Sequence, residues 1–222
     1  MKIYQLKESD FMHSQTQDTE SLLNLSWADL KAAANNDTFD TLIQSDDLIQ
    51  FALKSGEKVA VRTTRDETGK LFFMLENCMR NKRSINEWPT SKGGWAACDM
   101  RKYLNSEVFT LLPDDLQSVI VPTTIVQIVD GERKVSEDKL FLLSTTQVYG
   151  KDDWSDVEPE DTQLDCFRHE KDYLKEWTKN GLWLRSPWPS DPTYFCHVFS
   201  GGGAFSYGFR GSYGVAFAFC IN

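Results

Sequence analysis

The sequence has no apolar run near the roughly 20 residues that a bilayer span requires, which excludes a membrane-spanning helix. It has no basic stripe either. Lys and Arg number 24 against 33 Asp and Glu, a net charge of −9. Nucleic acid is therefore not an expected partner, nor is an anionic lipid surface, because both need clustered cations. Cysteine is scarce, odd in number and widely spaced, at Cys78, Cys98, Cys166, Cys196 and Cys220. That argues against a disulfide framework and fits reduced, mostly buried thiols. The start, MKIYQLKESDFMHSQTQDTE, lacks an apolar h-region. No secretory leader is expected on that basis, and the protein is read as cytosol-made or virion-associated, with display at a cell surface left open.

Recognisable catalytic and metal patterns are missing too. Cys166 and His169 could supply two metal ligands, but no second pair completes a zinc set. Cys196 and His197 are neighbours on an expected strand and point to opposite faces, so they cannot easily share an ion. Gly201-Gly202-Gly203 has no following Lys-Ser/Thr and reads as a hairpin tip, not a phosphate loop. The acidic stretch Asp152–Asp161 does not match an EF-hand and reads as a solvated charge run. No cofactor and no metal are expected, and no nucleophile comes with an evident base or oxyanion hole.

The strongest absence lies at the end of the chain. Residues 194–222 read YFCHVFSGGGAFSYGFRGSYGVAFAFCIN and contain no Lys, Gln, Glu, Met or Trp. Those five types occur 49 times in the preceding 193 residues, a frequency that would place about seven here. What is present is nine aromatics, six glycines and one formal charge, Arg210. Large flat side chains offer contact area at low entropic cost, and Gly and Ser let a backbone adapt, so this composition suits recognition.

Across 222 residues the pattern is one of many short strands, few helices and long connections, which argues for an α+β domain with an antiparallel sheet. Residues 1–22 read as a polar arm, and residues 23–222 as a single domain. Ser26 should cap a helix from Trp27 to about Asn35. Phe39–Leu53 has helical spacing. Lys58–Thr64 and Lys70–Glu76 read as a hairpin. Trp95–Asn105 is helical in spacing and ends before Leu111-Leu112-Pro113. Ser118–Val129 reads as a strand broken at Pro122, Lys139–Ser144 as a strand, and His169–Lys179 as a helix. Leu182–Arg185, Phe195–Phe199 and Gly214–Ile221 close the list of strands. Trp95, Trp183 and Phe219 should be core, with Phe217 and Ile221 beside them, and Arg185 should sit in a fixed hydrogen-bonded position.

An ordered set of short motifs runs through these elements. Gly94-Trp95 is followed by Asp99-Met100-Arg101, Tyr103-Leu104-Asn105, Leu112-Pro113 and Ile120-Val121-Pro122. Then come Asp138 to Ser144, Trp183-Leu184-Arg185-Ser186-Pro187, Tyr213-Gly214-Val215 and Phe219-Cys220-Ile221. In this order, over roughly residues 24–222, they resemble a domain family of gut Firmicutes and their phages. That resemblance implies a C-type lectin-like fold, and some members look like variable proteins of diversity-generating retroelements. The family usually closes with Gly-Val-Arg-Pro-Ala, whereas here Gly214-Val215 is followed by Ala216-Phe217-Ala218. In such retroelements, miscopied adenines turn AAC or AAT codons into many residue types but never Lys, Gln, Glu, Met or Trp. The alternative is that Gly-rich, aromatic strands lack these types anyway, and the DNA codons would decide.

The resemblance and the tail composition together imply a non-enzymatic, receptor-binding or adhesion-type protein with a diversifiable surface at 194–213. The expected ligand is a protein or glycan at a cell surface, with no membrane insertion. The expected contact residues are Tyr194, Phe195, His197, Phe199, Phe205, Tyr207, Phe209, Arg210 and Tyr213. Two other classes stay open. One is a formylglycine-generating-like oxidase, which would need a reactive pair such as Cys196 and Cys220. The other is a structural phage tail component that assembles with copies of itself.

Overall fold

The computed structural model describes residues 2–6, 21–23, 25–44, 47–151, 157–169, 171–179, 181–208 and 211–222, with the backbone alone at 21–23, 171–172 and 204–208. Among these residues the strands are β1 (Ile3–Leu6), β2 (Ser21–Leu23), β3 (Leu48–Ala52), β4 (Lys58–Arg65), β5 (Leu71–Leu75) and β6 (Thr123–Val129). They continue with β7 (Glu132–Asp138), β8 (Phe141–Leu142), β9 (Leu182–Pro187), β10 (Tyr194–Val198), β11 (Ala204–Gly208) and β12 (Phe217–Phe219). One sheet has the order β2-β1-β3-β4-β5-β12-β8, a second β11-β10-β9, and β6 pairs with β7 as a ribbon. Pairing is antiparallel except at β1, which runs parallel to both β2 and β3. Short helices connect these sheets, so the architecture is α+β.

Local chemistry sets several of these elements. Ser26 Oγ accepts the Asp29 N–H, and the Asp29 carboxylate accepts the Ser26 N–H at 2.8 Å. This capping box starts α1 (Trp27–Asn35). In the β4–β5 hairpin, Asp66 Oδ1 accepts the N–H groups of Thr68 and Lys70, and Gly69 takes a φ of +85°. The core forms where α1 meets the large sheet. Trp27 packs edge-on against Phe51, Phe73 and Phe219, and Phe73 stacks on Phe219 with ring centres 5.2 Å apart. Trp95, Trp183, Phe217, Phe219 and Ile221 are all buried, as expected.

Other elements differ from the sequence expectation. Phe39–Leu53 is not one helix. A single 3-10 turn covers Phe39–Thr41, and Leu48–Ala52 pairs with β4, because cross-strand contacts of Ile49 with Val61 and Phe51 with Val59 outweigh helical spacing. Asp114–Val119 is helical, so the strand after it begins only at Thr123, beyond Pro122. The strands expected at Lys139–Ser144 and Gly214–Ile221 shorten to β8 and β12. The ribbon strand β7 forms in a segment where the sequence pattern leads to no strand. Asp130 and Gly131 both adopt left-handed φ, +52° and +76°, and join the paired ends Val129 and Glu132 as a tight hairpin turn. Of the expected arm, Ile3–Leu6 joins the large sheet with Tyr4 buried, and residues 7–20 lie outside the described residues.

Candidate functional site

The ordered motifs meet in two buried polar hubs. Asp138 is the first. Its carboxylate accepts from Trp95 Nε1 (3.0 Å), Ser136 Oγ (2.6 Å), Arg101 Nε (2.6 Å) and Asn105 Nδ2 (3.3 Å). Asn105 Oδ1 in turn accepts the backbone N–H groups of Lys139 and Leu140. Arg185 is the second hub. Its guanidinium donates to Leu142 O (2.8 Å) and Gln147 Oε1 (2.7 Å) and forms an ion pair with Asp161. Gln127 links the two: its Oε1 accepts the Trp95 N–H at 2.7 Å, while its Nε2 donates to Glu158 and to the Arg185 carbonyl. Gly94 fits only as glycine, because a Cβ there would lie 2.5 Å from Gln127 Oε1. These motif residues therefore hold the scaffold together.

Beside this scaffold lies an aromatic surface at one end of β10. Phe199 opens the loop from β10 to β11 and is 40% exposed. The loop is pinned: Phe199 N–H donates to Gly203 O, Gly202 N–H to Phe199 O, and Tyr149 Oη to Gly202 O. His197 lies under Phe199 with ring centres 4.5 Å apart and stacks on Tyr213 at 4.3 Å. Trp183 meets Tyr213 at 90° and 5.0 Å. Tyr213 is fixed from the other side by a two-way backbone pairing with Arg83, whose carbonyl also accepts Trp183 Nε1. Gly214 must be glycine for this approach, since a Cβ would come within 2.8 Å of Cys78 Cβ and Leu182 Cδ2.

Residues 40–222 match the domain of unknown function DUF6273. The chain belongs to this family. Neither a curated protein nor a solved structure matches the chain. The DUF6273 domain thus begins within the 3-10 turn at Phe39–Thr41 and runs through β12, while β1, β2 and α1 precede it.

Within the DUF6273 domain the nine expected contact residues separate. Phe199 and Tyr213 come together at one end of β10, exposed and half-buried. Tyr194 is half-buried at the opposite end of that strand, about 13–17 Å away by strand rise. Phe195 and His197 are buried, at 1% and 0% exposure, which corrects their assignment as direct contacts. The reason is that β10 is the middle strand of its sheet and is covered on both faces, with Cys196 and Val198 equally buried. In the register of β11, Phe205 pairs with His197 and Tyr207 with Phe195, and their side chains lie outside what is described. Phe209 and Arg210 lie outside the described residues altogether. Asp152 to Asp156 of the acidic stretch lie outside them as well, whereas Glu158 and Asp161 turn inward to the Arg185 hub.

All five thiols are free, and Cys98, Cys166, Cys196 and Cys220 are buried. Burial pushes the Cys98 thiol up to about 12 and also raises Cys220. Such thiols stay protonated and are poor nucleophiles. Titration of the denatured, unreduced protein should find five free thiols. Native protein near neutral pH should expose one promptly, Cys78, and three or fewer thiols after denaturation would contradict this assignment. Among the described residues, no three His, Cys, Asp or Glu side chains are placed to hold a metal ion. No described helix is long and apolar enough to cross a membrane.

Glu158 is the titratable group most altered by the fold. Burial pushes its carboxyl up to about 7, and the nearby Arg185 offsets this only in part. Because the folded state holds the proton more tightly than the unfolded chain, the stability linked to that proton is full below about pH 4.5 and is lost as pH rises through about 7. The total is on the order of 3 kcal/mol. Glu158→Gln should therefore gain stability over the natural protein as pH rises from about 5 to about 8. Urea unfolding at both pH values measures this, and a difference independent of pH would contradict it.

Proposed function

We propose that this protein is a non-enzymatic ligand-binding protein whose recognition surface centres on Phe199 and Tyr213. The scaffold is read as C-type lectin-like, and the segment 194–213 as the diversifiable surface of a retroelement-type variable protein. A single observation carries the reading. Phe199 stands exposed on a loop tied down at both ends and seated on the buried ring of His197, which packs in turn on Trp183. A solvent-facing aromatic on a rigid base gives contact area without an ordering cost.

The oxidase alternative has less support. It needs a reactive cysteine pair, yet Cys196 lies in the middle strand of the three-stranded sheet and Cys220 bridges to Val121, both fully buried. The test uses ligands selected against the natural protein from a displayed peptide library and a glycan array. Phe199→Ser should leave the melting temperature within a few degrees, because exposed side chains carry little folding free energy. It should weaken the selected ligands by about 2 kcal/mol, as a hot-spot residue does. Unchanged affinity for every selected ligand would sink the assignment.

A further inference from the structure

Asp and Glu are absent from two stretches of this acidic protein that the fold joins. Residues 77–86 and 194–222 together make 39 positions and contain none of the 33 Asp and Glu, where an even spread would place about six. They do contain Arg80, Lys82, Arg83 and Arg210. The fold brings the two stretches together. Met79 N–H donates to Val215 O at 2.9 Å, and Arg83 pairs with Tyr213 through both backbone groups. Arg80 and Lys82 are exposed, and the Arg83 guanidinium lies 3.6 Å above the ring of Tyr103. Two carboxylates approach this face, Asp99 near Arg83 and Glu57 at the Arg80 backbone. Asp99 is paired with Lys102 at 2.9 Å, and Glu57 accepts the Arg80 backbone N–H at 2.7 Å. A cationic rim thus borders the aromatic surface on a molecule whose overall charge of −9 would repel anions elsewhere.

We propose that the partner of this surface is an acidic protein segment, with carboxylates flanking an apolar side chain. This rests on the ligand-binding reading above. The rim would receive the carboxylates, since planar guanidinium groups match them in a two-point fork. Phe199 and Tyr213 would cover the apolar side chain. Three cations are too few for a nucleic acid track, and a partner of uniform charge would leave the exposed phenyl ring of Phe199 without a counterpart.

The probe is a fluorescein-labelled peptide of about 12 residues with Asp and Glu around a central Leu-Phe, followed by anisotropy, a length chosen to span a strand-sized surface. Its Asn/Gln isostere and polygalacturonate are the comparison arms. The acidic peptide should bind, and affinity should fall about tenfold or more as salt rises past the point where the Debye length drops below ~6 Å. The double reversal Arg80→Glu with Lys82→Glu should weaken it by about tenfold or more. Arg133→Glu with Lys134→Glu, an equal charge change on β7, should leave it unchanged. Equal binding of the isostere, tighter binding of polygalacturonate, or equal loss in both double variants would overturn the proposal. Phe199→Ser separates the two readings. Dependence on charge without dependence on Phe199 leaves the rim standing and removes the aromatic centre. Selected ligands that need Phe199, alongside an acidic peptide that does not bind, leave the aromatic surface standing and remove this inference.

Discussion

Replacing Trp183 with Ala is expected to destabilise the protein by about 3–5 kcal/mol, the range for a large buried aromatic. Trp183 is 1% exposed and joins three parts of the fold. Its ring contacts Tyr213 and His197, its indole N–H donates to Arg83 O at 2.8 Å, and its backbone N–H donates to Gly214 O. Truncation would open a cavity and leave the Arg83 carbonyl without that donor. Urea unfolding gives the number. A loss below about 1 kcal/mol, the range of surface substitutions, would mean that the floor of the aromatic surface is misplaced.

Arg185→Ala should be comparably severe, again about 3–5 kcal/mol, because it breaks a buried ion pair by removing only one partner. Asp161, the Gln147 side-chain oxygen and the Leu142 carbonyl would each lose a charged donor. The Glu158 carboxyl would lose the cation that now restrains its rise, so its proton would be held still more tightly. Two measurements check this: unfolding of Arg185→Ala alone, and of Arg185→Ala with Asp161→Asn. The double variant should recover part of the loss, because the stranded carboxylate goes with the arginine. Full additivity would show that the pair is not coupled.

The sequence disclosed those elements whose signals are local. The Ser26 cap with Asp29, the Gly69 hairpin and the Gly201–Gly203 hairpin tip depend on neighbours along the chain and appear where expected. Asp130-Gly131 was equally local and marks a two-residue hairpin turn, yet charge-rich Glu132–Asp138 does not look like a strand, because only Ser136 and Asp138 of its residues are buried. Leu48–Ala52 carries helical spacing and becomes a strand through contacts with residues about ten positions later. Gln127 left only a faint signal, a lone amide in the apolar run Thr123–Val129, and its role appears only when Trp95, Glu158 and Arg185 converge on it.

Composition singled out the segment that carries Phe199 and Tyr213, but not which of its side chains face outward. Alternation along a strand assumes one wet face, and β10 has none, which is why Phe195 and His197 became core while Phe199, one step past the strand, became surface. Arg83 lies over 100 residues from Tyr213, and no spacing rule links the two.

The central claim is that residues 194–213 combine a fixed floor with a tolerant, ligand-contacting rim. A saturating substitution scan of this segment, displayed on cells and sorted in parallel for folded expression and for binding of a selected ligand, separates the two. Polar substitutions at Phe195, His197 and Val198 should abolish expression, while those at Phe199 and Tyr213 should keep expression and lose binding. Loss of expression at Phe199 and Tyr213 alike, or full binding whatever stands at those two positions, would contradict it.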